Sequence, residues 1–183
     1  MATSDSGSLH VWVLRHAKAA AQGPGGDITR PITARGERQA IAVREHIASL
    51  SDRGALPDLV LCSPAVRARQ TADLVLPALP EARFEVDGAL YSKDAAGLIE
   101  WLKILDPEVS SLMVVGHNPT LHELCVMLAA PPASEAIDSE GLPTSALVEL
   151  EQQHAATWGQ LVPGGSRLVH RFTPDRNQTS GHG

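Results

Sequence analysis

The chain has 183 residues, 43% hydrophobic and only 3% aromatic, with a formal net charge of -6. That length suits one compact domain, its core built mainly from alanine, leucine and valine. A negative balance with no block of lysine or arginine argues against a nucleic-acid or anionic-membrane partner, and no apolar run is long enough for a membrane span.

Residues 1–8 are small and polar and lack the basic and apolar regions of a secretion signal. Residues 9–14, Leu-His-Val-Trp-Val-Leu, form an apolar run that predicts a buried strand. Residues 34–50 predict an amphipathic helix, because Ala40, Val43, Ile47 and Leu50 recur at helical spacing and Thr33 stands ready as N-cap. Residues 58–62 predict a second strand. Pro64 is expected to open a helix running to about Leu76, since proline suits a first helical turn. Arg83–Val86 reads as a weak short strand, and Asp94 to Leu105 as a helix. Ser111 to Val115 reads as a strong buried strand, followed by a helix capped and opened by Asn118-Pro119 and running to about Ala130. Residues 131–143 hold three prolines and mixed acidic residues and read as a loop. Ser145 to Glu151 and Ser166 to Phe172 read as a final strand pair, with Gly164-Gly165 at the turn before the second. The residues from Pro174 onward read as a loose tail.

Strands alternate with helices, so the expected fold class is α/β: a mostly parallel central sheet, covered on both faces, with the last strand pair antiparallel. One domain is expected over 1–183, with its core over about 9–174. Cys62 and Cys125 are too few for a disulfide framework and read as small buried hydrophobes, so a reducing cytoplasm is the expected compartment. Asn177-Gln178-Thr179 matches a glycosylation sequon, which means nothing without a secretion signal.

Three predicted strands end in residues that carry chemistry: Arg15-His16, Ser63-Pro64-Ala65-Val66-Arg67, and Gly116-His117-Asn118-Pro119. In a parallel sheet those ends share one edge, where open α/β folds place their ligands. Two guanidiniums offer planar forks of donors that match phosphate, and the helix starts after residues 64 and 118 add positive ends. Flanking cations should keep His16 neutral, with a ring nitrogen free to attack, and Nδ1–H to a backbone carbonyl would orient it. His117 suits a donor to the transferring phosphoryl group. Taken singly, each motif is ambiguous: Gly-His-Asn-Pro alone is an ordinary helix start, and Arg67 alone an ordinary solvated residue. Their order, each after a strand, is what points to one site.

Leu14-Arg15-His16-Ala17-Lys18-Ala19 resembles the opening signature of the histidine phosphatase superfamily, and in particular the SixA-type phosphohistidine phosphatases. Arg30-Pro31-Ile32-Thr33 with Gly36, Leu61 to Ala72, Val114 to Pro119, Thr144-Ser145-Ala146 and Phe172-Thr173-Pro174 are similar to that group's further motifs. The resemblance implies a three-layer αβα sandwich of the phosphoglycerate mutase-like kind. It implies His16 as the phosphorylated nucleophile and Arg15, Arg67 and His117 as the phosphate pocket, with no metal and no cofactor. Arg30 and Asn118 join the candidate binding set; Arg30 either reaches the substrate from its loop or merely solvates residues 23–27.

Many superfamily members carry a glutamate between the second arginine and second histidine motifs that protonates the leaving oxygen. Here the stretch Val86 to Asp94 holds none, and Asp87 or Asp94 could substitute only with a shift of register. An alkoxide leaving group would miss that acid by about 10²–10⁴-fold, an imidazole by less. The expected activity is therefore removal of phosphate from phosphohistidine in a protein. The alternatives are a small-molecule phosphomonoesterase of the same superfamily and a phosphate-binding regulatory module without turnover. His117 with His122-Glu123 invites a metal reading, but the spacing of five is wrong for a helical histidine pair. His46 reads as a surface or satisfied residue, and His10, His154, His170 and His182 have no partner legible in the sequence.

Overall fold

The computed structural model describes residues 8–51 and 56–174. Six segments form strands: β1 (His10–Arg15), β2 (Leu59–Cys62), β3 (Arg83–Val86), β4 (Ser111–Gly116), β5 (Leu147–Gln152) and β6 (Ser166–Phe172). They form one sheet of order β3-β2-β4-β1-β5-β6. The first four in that order run parallel; β5 and β6 run antiparallel to their neighbours. The fold is thus α/β with a mixed six-stranded sheet.

Period-two alternation divides each central strand between two cores. Trp12 and Leu14 of β1 join Val60, Cys62, Met113 and Val115 on one face. There they meet Val43 and Ile47 of α1 (Ala34–Ala48) and Ala68, Ala72 and Val75 of α2 (Val66–Val75). Val11 and Val13 join Leu61, Leu112 and Val114 on the other face. That face is covered by α4 (Ala95–Leu102), α5 (Thr120–Leu128) and α6 (Ala133–Glu140). A short helix, α3 (Ala89–Ser92), follows β3. With both faces buried, β1, β2 and β4 read as continuous apolar runs rather than alternating ones.

The helix starts differ from expectation in two places. Pro64 lies ahead of α2, whose N-cap is Ala65, so Arg67 is the second helical residue. Asn118 does not cap α5; its side chain donates to Leu142 O at 2.9 Å, and Pro119 precedes the first turn. Thr33 does cap α1, accepting from Gly36 N at 3.1 Å, and Asp94 caps α4.

The predicted loop over 131–143 is the main correction, because residues 133–140 form α6. The prolines flank the helix instead of interrupting it: Pro131 and Pro132 precede it, and Pro143 follows it. Ala133, Ala136 and Ile137 give one turn-spaced apolar stripe, and Ile137 is fully buried. Gly141, at φ 70, ends the helix in a conformation that favours glycine. The expectations for residues 1–7 and 175–183, including the sequon and His182, lie outside the described residues. Among the described residues no helix is long and apolar enough to cross a membrane.

Candidate active site

Strand register builds the site. Arg15 pairs with Gly116 and Cys62 with Val115, so the residues just past β1, β2 and β4 emerge side by side at the carboxyl edge. The ladder extends one step further: His16 N donates to Gly116 O at 3.0 Å, and Ser63 N to Val115 O at 2.9 Å. The His16 and His117 rings consequently stand 5.0 Å apart, tilted by 53°.

The loop carrying His16 is pinned from three sides. Ser145 N donates to the carbonyls of Arg15 and His16 at 3.1 and 3.3 Å. Ser145 adopts φ 60 to do so, a conformation costing about 1–3 kcal/mol in a non-glycine residue. Ala17 N donates to Thr71 Oγ1 of α2 at 2.9 Å. The carbonyl of Lys18 lies against the first turn of α1, receiving Thr33 N at 2.8 Å and Thr33 Oγ1 at 3.1 Å.

His16 is 8% exposed. Its Nδ1 lies 2.7 Å from Ala17 O, a partner that can only accept, so Nδ1 carries the proton and Nε2 the lone pair. Burial is the largest cause holding its pKa down at about 4, partly offset by the Ala17 bond and reinforced by Arg67, Arg15 and Arg30. The flanking guanidiniums thus lower it as expected, but removal from water comes first. Arg67, itself buried, points Nε at His16 Nε2 from 3.3 Å, a long contact and a weak one.

His117 is fixed through Nε2, 2.7 Å from Ser63 Oγ. Ser63 Oγ also lies 3.4 Å from Ala65 N, so its own hydrogen can go to the ring and leave the proton on Nδ1. That Nδ1 is buried without a partner, as is Nε of Arg15. Unpaired buried donors are costly, and an incoming anion would satisfy them. Burial, then His16 and Arg67, push the His117 pKa down to about 3. Arg15 Nη1 donates to Leu142 O at 2.8 Å, the same carbonyl that receives Asn118.

A cleft of about 350 Å³ opens over these groups, lined by Arg15, His16, Arg30, Arg67, His117 and Asn118, with Lys18, Ala19, Asp27 and Thr144 around them. All six sequence-predicted site residues therefore meet in one place. Sequence reasoning missed Asp27. Its carboxylate accepts from Arg67 Nη2 at 2.9 Å, from Arg30 Nε at 2.9 Å and from Tyr91 OH at 3.2 Å; its carbonyl accepts from Arg67 Nη1 at 2.6 Å. The Arg67 hydrogen bond above all holds its pKa below the ordinary carboxylate value. Its position three residues before Arg30 was the one available signal. Ser63 and Tyr91 went unassigned because their roles depend on contacts across the fold. Asp87 and Asp94 do not line the cleft; each accepts from a backbone N–H at the start of a helix, Ala89 N at 2.7 Å and Gly97 N at 2.8 Å.

Outside the cleft, His122 turns to Ile137 O and Asp138, and no group of three or more His, Cys, Asp or Glu suited to a metal occurs among the described residues. His10 pairs with Glu149 at 2.9 Å, and His46 with His170 at 2.5 Å.

The model of the histidine phosphatase superfamily (branch 1) matches residues 11–95. The uncharacterized protein Rv1276c of Mycobacterium tuberculosis is 35% identical over 170 residues, covering 88% of this chain and 99% of that protein. Among solved structures, SixA of Agrobacterium tumefaciens, named as a candidate phosphohistidine phosphatase, matches with a TM-score of 0.74 at 29% identity, over 91% of this chain and 98% of that one. SixA of Nakamurella multipartitia, named likewise, matches with a TM-score of 0.73 at 26% identity, over 92% and 97%. Sequence, fold and site agree: the chain belongs to the histidine phosphatase superfamily.

Proposed function

We propose that this protein is a phosphatase that passes a phosphoryl group through His16, and that its substrate is phosphohistidine carried on a protein. One observation carries the reading. A neutral imidazole offers its Nε2 lone pair into a cleft also lined by Arg15, Arg67 and His117, whose buried Nδ1 has no partner.

In the first step His16 Nε2 attacks phosphorus in line, and the bond from phosphorus to the departing group breaks. Arg15 and Arg67 hold the equatorial oxygens, and His117 donates to one of them. The Ala17 carbonyl keeps Nδ1–H in place and stabilises the charge that arrives on the ring. In the second step water attacks the phosphorylated His16, the new P–N bond breaks, and phosphate leaves with the water's oxygen.

Two observations support phosphohistidine within this class. The matches to the two SixA proteins lie above 25% identity and cover nearly all of each chain. Asp87 and Asp94 are committed to helix starts, so neither stands ready to protonate an alkoxide.

Incubation with a radiolabelled phosphoryl donor tests the intermediate. An acid-labile, alkali-stable label that disappears in His16→Ala is expected. Retained phosphate affinity with neither label nor turnover would leave a binding module instead. Comparing a phosphohistidine protein with an alkyl phosphate tests the substrate, and faster turnover of the alkyl ester counts against phosphohistidine.

A further inference from the structure

The cleft presents an oddity of charge. A site for a phosphoryl anion is lined by Arg15, Lys18, Arg30 and Arg67, yet it contains one carboxylate, Asp27. Nothing in phosphate binding calls for it, because a like charge beside the substrate repels it. Asp27 is also unlike a carboxylate consumed by its ion pairs. Its side chain remains 55% exposed while bonded to Arg67 and Arg30. A carboxylate accepts about four hydrogen bonds. Here Oδ1 accepts from Arg30 Nε, with Arg30 Nη2 also 2.9 Å away, and Oδ2 accepts from Arg67 Nη2 and Tyr91 OH, so three hydrogen bonds are made and room for one more remains on an exposed group.

The mouth is where the departing group must lie, since in-line attack by His16 from the floor expels it outward. For an alkyl ester, an acid is needed at the bridging oxygen itself. For phosphohistidine the need is displaced by the width of a ring. The bond to phosphorus is made by one ring nitrogen, and the proton that turns imidazolate into a good leaving imidazole sits on the other. A group serving that proton belongs farther from phosphorus and should be an anion that accepts, not an acid that donates.

We propose that the ionised carboxylate of Asp27 receives the far N–H of the substrate's phosphorylated imidazole and so selects phosphohistidine over phosphate esters. This rests on the phosphatase reading above. The charges around the carboxylate fit the role. Arg67 from α2 and Arg30 from its own loop keep it ionised, Tyr91 OH from α3 orients it, and His16 and His117 behind it are neutral. The step balances. The protonated phosphoimidazole transfers its phosphoryl group to His16 Nε2, its P–N bond breaks, and it departs as neutral imidazole with its far proton in place. Asp27 is a carboxylate before and after. The Tyr91 ring, edge-on to His117 at 5.6 Å and 42% exposed, is placed to flank the same imidazole.

The test compares free phosphohistidine with p-nitrophenyl phosphate, whose leaving group needs no proton, in wild type and in Asp27→Asn. The ratio of the two kcat/KM values is expected to fall roughly 10- to 100-fold, the worth of a charge-assisted hydrogen bond. Asp27→Glu should recover part of it. The phosphohistidine rate of the variant should also decline at lower pH than that of wild type, because the substrate ring loses its proton more readily without the carboxylate. Equal losses on both substrates would reduce Asp27 to a brace for Arg67 and overturn the proposal, as would no loss on phosphohistidine. If wild type labels on His16 and the ratio is unchanged, this inference fails alone; if wild type neither labels nor turns over, the phosphatase reading fails and takes this one with it.

Discussion

At the scale of the residue, the site combines burial with directed hydrogen bonds. Arg15, His16, Arg67 and His117 were legible because each follows an apolar run, and parallel strands deliver their ends to one edge. Asp27 was not, because its place depends on arginines 3 and 40 residues away in the chain folding back over it. The depressed histidines have a consequence for stability. Folded His16 and His117 protonate near pH 4 and 3, against 6.5 for an unperturbed histidine. From about pH 6.5 down to 4 the unfolded chain therefore binds more protons, so stability falls as pH falls and levels off below the folded values. For His16 alone the loss amounts to about 3 kcal/mol at most. Melts of wild type and His16→Gln at pH 7 and 4 check this. The wild-type midpoint should fall by up to about 10 °C more than the variant's. Parallel decline in both would mean that the imidazole is not held neutral.

At the scale of the element, the strands and the longer helices were legible from pattern, and α3 and α6 were not. Three prolines over 131–143 obscured a stripe of Ala133, Ala136 and Ile137 too short to stand out. That helix exists because Ile137 docks in the core beneath α5, which only tertiary packing supplies. The start of α1 shows the opposite case, where one residue type is dictated by approach. A Cβ on Gly36 would lie 2.3 Å from the carbonyl oxygen of Lys18. That carbonyl belongs to the segment carrying His16, and Thr33 already holds it twice. Gly36→Ala should therefore cost about 1–3 kcal/mol of stability by urea titration. It should also lower turnover, since relief of the clash displaces the segment two residues past His16. A variant as stable and as active as wild type would mean that the helix shifts freely against that segment.

At the scale of the whole molecule, the two edges of the sheet do different work. The carboxyl edge holds the site; the loop Asp106 to Glu108, ahead of β4, lies at the opposite edge. A four-residue Gly-Ser insertion after Pro107 should leave kcat/KM within about twofold, as surface-loop extension costs little. The same insertion after Leu142, whose carbonyl receives both Arg15 and Asn118, should reduce it more than about tenfold, as small misplacements at a site do. Steady-state kinetics on the two insertions decides; comparable losses would refute the division. The pairing of Arg15 with Gly116 carries this separation further. Sliding β1 by one residue against β4 would carry His16 about 3.3 Å along from His117, and would turn Trp12 and Leu14 toward the wrong layer. The aliphatic interior thus proofreads the alignment on which reactivity depends, and turnover doubles as an assay of correct folding.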